Sequence, residues 1–115
     1  MVKNMIHEMN LHDAPYKLIK EKTKTVEMRL NDERRKDLKI GDIIIFTNRD
    51  TKEKLKAKVL KLDYYDSFKE LYKHFDNIEI GYKKDDIPNP SDMDIYYTKE
   101  QQEKYGVIAI RIELL

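Results

Sequence analysis

The chain has 115 residues, of which 39% are charged, and its 23 Lys and Arg nearly balance its 22 Asp and Glu. This length is typical of a single domain with one modest core, so we expect one domain over residues 1–115. The longest apolar runs, residues 43–46 and 107–110, fall far short of the roughly 20 residues of a membrane span, so no membrane partner is expected. The absence of cysteine excludes disulfide and thiolate chemistry.

The N-terminal part of the chain predicts a strand followed by a helix. Residues 1–10 are interrupted by charged side chains and lack the apolar segment of a secretory signal, so we expect a cytoplasmic protein. Residues 5–11 form the predicted first strand. Asp13 and Pro15 are typical of a helix start, and this helix should end near residues 22–23.

Residues 25–30 alternate between apolar and polar side chains, which predicts a half-buried strand. Its polar face carries Glu27 and Arg29, about 7 Å apart along the strand. Lys24 has the opposite parity, so it joins them only if it precedes the regular strand or if a bulge intervenes. A short helical turn capped by Asn31 should follow.

The middle of the chain predicts a β-hairpin. Residues 43–47 form a continuous apolar run, which we expect to be covered on both faces. Residues 55–62 alternate for most of their length and should pair with that run across a turn at residues 48–52. Residues 49–61 hold six basic and two acidic side chains, a balance that suits phosphate binding but also an ordinary solvated surface.

The last third predicts two helices and a strand. Residues 67–75 combine a capping-box pattern with apolar side chains at three- and four-residue spacing, which indicates an amphipathic helix. Residues 76–91 are interpreted as a loop or a broken helix. A second capping box at Thr98 starts another helix, which Gly106 should end before a strand over residues 107–114.

The order of four or five strands and about four short helices favours an α+β fold, a small mixed β-barrel with short helices packed beside it. A single core should collect the apolar face of each element. Its expected members are Val26, Met28, Ile43, Ile45, Val59, Leu60, Phe68, Leu71, Val107, Ala109 and Ile110.

Lys24, Glu27 and Arg29, here called the charged triad, form the strongest candidate site. A carboxylate between two cations stays ionised and holds the cations in place, and such a group can bind a polar ligand, a phosphate or the edge of a nucleobase. On spacing alone, an exposed ion pair of small energetic value is the simpler interpretation.

The triad in the spacing Lys-x-x-Glu-x-Arg, followed by Gly41-Asp42 and an apolar strand, resembles the signature of the ASCH domain family within the PUA-like superfamily. Residues 105–110 are similar to the last strand of that family. The opening residues 7–20 are similar to those of its small stand-alone bacterial members. The resemblance covers nearly the whole chain, but the glycine of the family signature is replaced here by Lys22.

The resemblance implies a β-barrel with a cleft where the triad converges, and a link to RNA or to modified bases. Lys22 at the entrance and an aromatic side chain near the cleft, Tyr97 or Tyr105, would complete the ligand contacts. RNA or a nucleoside-like small molecule is thus the expected partner, and no protein partner is identified. No cofactor or metal is expected, because the three histidines show no ligand spacing.

Two functions stay open, with a protein-interaction module as a third. A binding module would use Lys24 and Arg29 for phosphate or base acceptors and Glu27 for base amino groups. A small hydrolase acting on an amide or phosphodiester of a nucleoside or RNA would use Lys24 to polarise the electrophile and Glu27 as general base. An enclosed pocket would favour a small ligand or a reaction, and an open basic groove would favour RNA.

Some small members of the family resemble amidohydrolases that deacetylate N4-acetylcytidine. They have a Lys at the position of Lys24, a Thr at the position of Glu27 and a Glu from a later segment. In this chain only Asp85 or Asp86 lies near the position of that later acid, so the catalytic set does not carry over intact.

Overall fold

The computed structural model describes residues 4–115, which form five strands, three α-helices and one 3-10 helix. None of the helices in this range is long and apolar enough to cross a membrane. In chain order the elements are β1 (Ile6–Leu11), α1 (Asp13–Lys20), β2 (Val26–Leu30), β3 (Ile43–Asn48), β4 (Lys54–Tyr65), α2 (Phe68–Tyr72), a 3-10 helix (Pro90–Ile95), α3 (Lys99–Tyr105) and β5 (Val107–Leu114).

The five strands form one sheet in the order β1-β3-β4-β5-β2. β1 runs parallel to β3, and the other neighbouring strands are antiparallel. The edge strands are therefore β1 and β2, and the sheet curls into a half-barrel that brings these two edges toward each other. The expected α+β class, with a partly open barrel and short helices beside it, is confirmed.

The sheet divides the expected single core into two clusters, because β5 is apolar on both faces. The cluster beneath α1 contains Met9, Leu11, Tyr16, Ile19, Leu38, Ile44, Phe46, Ala57, Val59, Ile108, Ile110 and Ile112. The cluster beneath α2 and the 3-10 helix contains Val26, Met28, Leu30, Phe68, Leu71, Ile80, Met93, Val107 and Ala109.

Three residues that were expected in the core lie outside both clusters. Leu60 is 41% exposed, because it directly follows the buried Val59 and is the unpaired residue of a β-bulge in β4 against β5. Ile43 and Ile45 are half-buried on the outer face of β3, where lysines of β4 lie opposite them. The apolar run of β3 is therefore fully buried on one face only.

Two of the predicted helix caps are displaced by one residue, whereas the predicted capping box of α3 at Thr98 is confirmed. The N-cap of α1 is His12, and Asp13 is the first helical residue. In the turn after β2, Asp32 rather than Asn31 accepts a hydrogen bond from a following backbone N–H, that of Arg34 at 3.1 Å.

Candidate functional site

The charged triad converges at the base of a cavity. Lys24 Nζ lies 2.9 Å from Glu27 Oε1, and Arg29 Nη2 lies 3.1 Å from Glu27 Oε2. Only 8%, 4% and 14% of the side chains of Lys24, Glu27 and Arg29 are exposed. The triad is therefore a buried ion-pair network and not an exposed pair on a strand face.

Lys24 reaches Glu27 in spite of its parity because it precedes β2, which begins at Val26. Its backbone N–H donates to the carbonyl of Leu18 at 3.1 Å, so the chain folds back against the end of α1 before the strand begins. Lys22 makes this reversal with a φ of 67°, the left-handed conformation that favours glycine. Its side chain is exposed and lies outside the cavity lining.

The carboxylate of Glu27 is held as an anion. Burial alone would raise its pKa, but the charges of Lys24 and Arg29 outweigh burial and lower the pKa from 4.5 to about 2. Hydrogen bonds from Lys24 and from the Met28 N–H, at 2.9 and 3.0 Å, act in the same direction. Glu27 is therefore ionised at neutral pH and presents acceptor oxygens to the cavity.

Arg29 connects the triad to the opposite edge of the sheet. Its Nη2 donates to the carbonyl oxygen of Asn10 in β1 at 2.9 Å as well as to Glu27. Burial lowers the pKa of Arg29, but the Glu27 carboxylate and the Tyr97 hydroxyl outweigh burial and raise it, so the guanidinium stays charged. Burial and the nearby charge of Arg29 both lower the pKa of Arg35. The base of the cavity thus holds more positive than negative charge.

A partly open cavity of about 520 Å³ lies above the triad. This volume falls within the range of about 300–1,000 Å³ that is typical of small-ligand sites. Four tyrosines line it: Tyr72, Tyr82, Tyr96 and Tyr97. Tyr97 therefore lies beside the triad, whereas Tyr105 lines a separate depression next to Gly106.

The segment after α2, which was predicted to be a loop or a broken helix, forms one side of the cavity. The carbonyl of Glu79 accepts hydrogen bonds from the N–H groups of Thr25 and Val26 at 3.0 and 2.9 Å, which holds this segment against the start of β2. Gly81 has a φ of 100°, and a Cβ atom there would lie 3.3 Å from Lys24 Cδ. The bare backbone of Gly81 thus leaves the room that the Lys24 side chain occupies.

Tyr82 belongs to a hydrogen-bonded chain of polar groups on the cavity wall. Its hydroxyl donates to Asp92 Oδ2 at 2.7 Å and lies within hydrogen-bond distance, 3.0 Å, of the Tyr72 hydroxyl. Burial raises the pKa of Tyr82, and the bonds to Tyr72 and Asp92 raise it further, so the phenol stays protonated. The local sequence contains no spacing that indicates these residues, because the contacts join segments on either side of a loop.

The Gly41-Asp42 part of the motif stabilises the fold. The buried Asp42 carboxylate accepts from the N–H groups of Met5 and Lys39 at 3.0 and 2.9 Å and lies 2.8 Å from His7 Nε2. Burial would raise the pKa of Asp42, but these hydrogen bonds outweigh it and lower the pKa. Asp42 therefore holds the start of β1 against the turn that precedes β3.

The remaining candidate residues lie away from the triad. Asp85 and Asp86 are exposed and are not part of the cavity lining, so neither joins Glu27. His7 contacts Asp42, His74 stacks on Tyr65 with ring centroids 5.0 Å apart, and His12 lies at the cavity mouth. Within residues 4–115, His, Asp and Glu side chains form no cluster of three that could hold a metal ion.

Comparisons with known proteins show which family model and which solved structures this chain is similar to. The sequence model of the ASCH domain family matches residues 9–115. The crystal structure of hypothetical protein PH0355 has 35% identity and a TM-score of 0.81, over 96% of this chain and 100% of that chain. The solution NMR structure of protein PF0455 from Pyrococcus furiosus has 32% identity and a TM-score of 0.69, over 96% of this chain and 98% of that chain. A comparison with curated proteins gives no significant match.

Proposed function

Because the chain belongs to the ASCH domain family, which is generally associated with RNA binding, we propose that it binds one nucleobase, from RNA or from a modified nucleoside, in the cavity above the charged triad. The observation that carries this proposal is the position of the triad. Its charges lie at the base of a cavity of about 520 Å³ with four tyrosines in its lining. The base of the cavity is therefore polar, and the tyrosines of its walls can stack on the planar ring of a nucleobase.

The hydrogen-bonding capacity of the triad matches the edge of a cytosine-type base. Glu27 Oε2 accepts from Arg29 and keeps a second acceptor position, which suits an exocyclic amine. Lys24 Nζ donates to Glu27 and has further N–H groups for the ring nitrogen and carbonyl of the same base. A donor and an acceptor fixed side by side favour such a base over an apolar ligand.

The pKa of Glu27 favours binding over hydrolysis with Glu27 as general base. A general base works best when its pKa lies near the operating pH. The two cations lower the pKa of Glu27 to about 2, so the carboxylate is a weak proton acceptor at neutral pH. The triad is thus better suited to recognising a ligand than to activating water.

Calorimetric titration with nucleosides and short RNAs tests this function. Wild type should bind cytidine or a modified cytidine. Lys24→Met should lose that binding, because the nucleobase then lacks the N–H donors of Lys24. Lys22→Met is the matched control, since Lys22 is exposed and lies outside the cavity lining. It should bind like wild type. If no nucleoside or RNA binds to wild type, or if both variants bind like wild type, the proposed function is wrong.

A further inference from the structure

A second charged group, Arg49, lies at the mouth of the cavity. It follows β3 and lines the cavity together with His12. Its backbone N–H donates to the carbonyl of Leu11 at 2.8 Å, which fixes this residue against the end of β1. Among residues 4–115, no carboxylate forms an ion pair with the Arg49 guanidinium.

The turn that carries Arg49 is built around a buried side chain. Asn48 is 1% exposed, and its Oδ1 accepts from the N–H groups of Asp50 and Thr51 at 2.9 and 3.2 Å. Its Nδ2 donates to Asp13 Oδ1 at 3.0 Å, which ties the turn to the first residue of α1. The position of Arg49 beside the cavity is therefore set by the fold.

The acidic groups around the mouth already have partners. Asp13 contacts Lys17 at 2.9 Å, Asp50 accepts from the Asp13 N–H at 3.3 Å, and Asp92 accepts from the Tyr82 hydroxyl. None of these three carboxylates forms an ion pair with the guanidinium of Arg49, whose side chain is exposed at the mouth. A guanidinium of this kind suits a phosphate, which it can bind through two parallel N–H groups.

We propose that Arg49, with His12 beside it, binds the phosphate of a nucleotide whose base lies on the charged triad. This inference rests on the proposed function and deepens it. The base of the cavity is buried and its mouth is exposed. A nucleotide that inserts its nucleobase into the cavity therefore directs its sugar and phosphate toward Arg49. The occupant is then a phosphorylated nucleoside, either free or within an RNA strand, and not a bare nucleoside.

Calorimetry at several ionic strengths tests this inference, with the four common ribonucleosides and N4-acetylcytidine, the 5′-monophosphates of these nucleosides and short RNA oligomers as probes. For the base that binds, wild type should bind a phosphate-bearing form at least about tenfold more tightly than the nucleoside. Arg49→Gln should reduce that ratio to near one. It should also weaken the dependence of the binding affinity on salt concentration by the amount expected for about one phosphate contact. Arg34→Gln is the control, because Arg34 is exposed and does not line the cavity. It should keep the wild-type ratio.

The pattern of binding separates the possible outcomes. A gain with the monophosphate indicates a free nucleotide, and a gain only with the oligomer indicates a nucleotide within RNA; both support the inference. Equal affinity for nucleoside, monophosphate and oligomer in wild type, or an unchanged ratio in Arg49→Gln, overturns it and leaves the proposed function intact. If no probe binds, both are wrong.

Discussion

Arg29 donates from Nη2 to the backbone carbonyl of Asn10 at 2.9 Å and thereby joins the two edge strands of the sheet. The same nitrogen donates to Glu27 at 3.1 Å. One guanidinium thus closes the open side of the half-barrel and forms part of the base of the cavity. A ligand on the triad would contact groups that also stabilise the fold, so binding and stability should be coupled.

Replacing Glu27 by Gln should destabilise the protein, because it leaves Lys24 and Arg29 buried without an anion. Removal of one partner from a buried ion pair costs about 3–5 kcal/mol. Urea unfolding at neutral pH measures this loss. Glu33→Gln is a matched control, since the exposed Glu33 carboxylate contacts Lys36 at 2.8 Å and its loss should leave the unfolding midpoint unchanged. A Glu27→Gln protein as stable as wild type would contradict the buried network.

The stability of wild type should fall as the pH is lowered from about 4.5 toward 2. The pKa of Glu27 is about 2 in the fold and 4.5 ordinarily, so the unfolded state takes up its proton first as the pH falls. The stabilisation from Glu27, of about 3 kcal/mol, is complete above the unfolded pKa and is lost as the pH falls through the folded pKa. Asp42, whose pKa is also lowered, acts in the same direction.

Urea unfolding of wild type and Glu27→Gln over this range separates the two contributions. The variant lacks the Glu27 titration, so its stability should decline less steeply on acidification. Equal pH dependence of the two proteins would mean that Glu27 is not the titrating group.

Gly81→Ala should impair nucleoside binding beyond its effect on stability. Its φ is 100°, and the new Cβ would lie 3.3 Å from Lys24 Cδ, so Lys24 must shift. Gly41→Ala provides a matched control, because Gly41 has a φ of 94° and its Cβ would meet Asn4, away from the cavity. Both variants should lose about 1 kcal/mol or more of stability. Calorimetry should show weaker binding for Gly81→Ala alone. Equal affinities of the two variants would show that Gly81 does not contribute to the binding site.

The residue pattern predicted all five strands because alternation and apolar runs are local properties. Leu60 was also expected in the core, and this was wrong because Leu60 is the unpaired residue of a bulge, which depends on how β4 pairs with β5. The family motif pointed to the convergence of the triad, although strand parity alone opposed it for Lys24. The contribution of Gly81 and Tyr82 could not be read from the sequence, because it arises only when the segment after α2 folds over the start of β2.

Lys22→Gly should stabilise the protein by about 0.5–1 kcal/mol, since a non-glycine residue pays a steric penalty at a left-handed φ. The φ of Lys22 is 67°. The control is Glu21→Gly, because Glu21 has a φ of −78° and gains no relief from losing its side chain. That variant should be less stable than wild type. Thermal unfolding measures both, and a lower melting temperature for Lys22→Gly would contradict the strain.

N4-Acetylcytidine should not be hydrolysed by this protein, even if it binds. The small family members that resemble amidohydrolases have a Thr hydroxyl at the position of Glu27, and a carboxylate there offers no alkoxide nucleophile. Its pKa of about 2 also makes it a weak base for water. Chromatography of reaction mixtures should therefore show no release of cytidine, while calorimetry tests for binding of the same compound.

Glu27→Gln distinguishes the ways in which this last prediction can fail, because Gln keeps the size and much of the hydrogen bonding of Glu27 but removes the base. Turnover by wild type that is lost in Glu27→Gln, under conditions where circular dichroism shows the variant to be folded, would make Glu27 a working base and would contradict the binding function. Turnover that persists in Glu27→Gln would place the chemistry on other groups, with Lys24 and the hydroxyl of Tyr82 in the same cavity as the first to test. Binding without turnover in wild type is the expected result, because two buried cations hold the carboxylate in its ionised, hydrogen-bonded form.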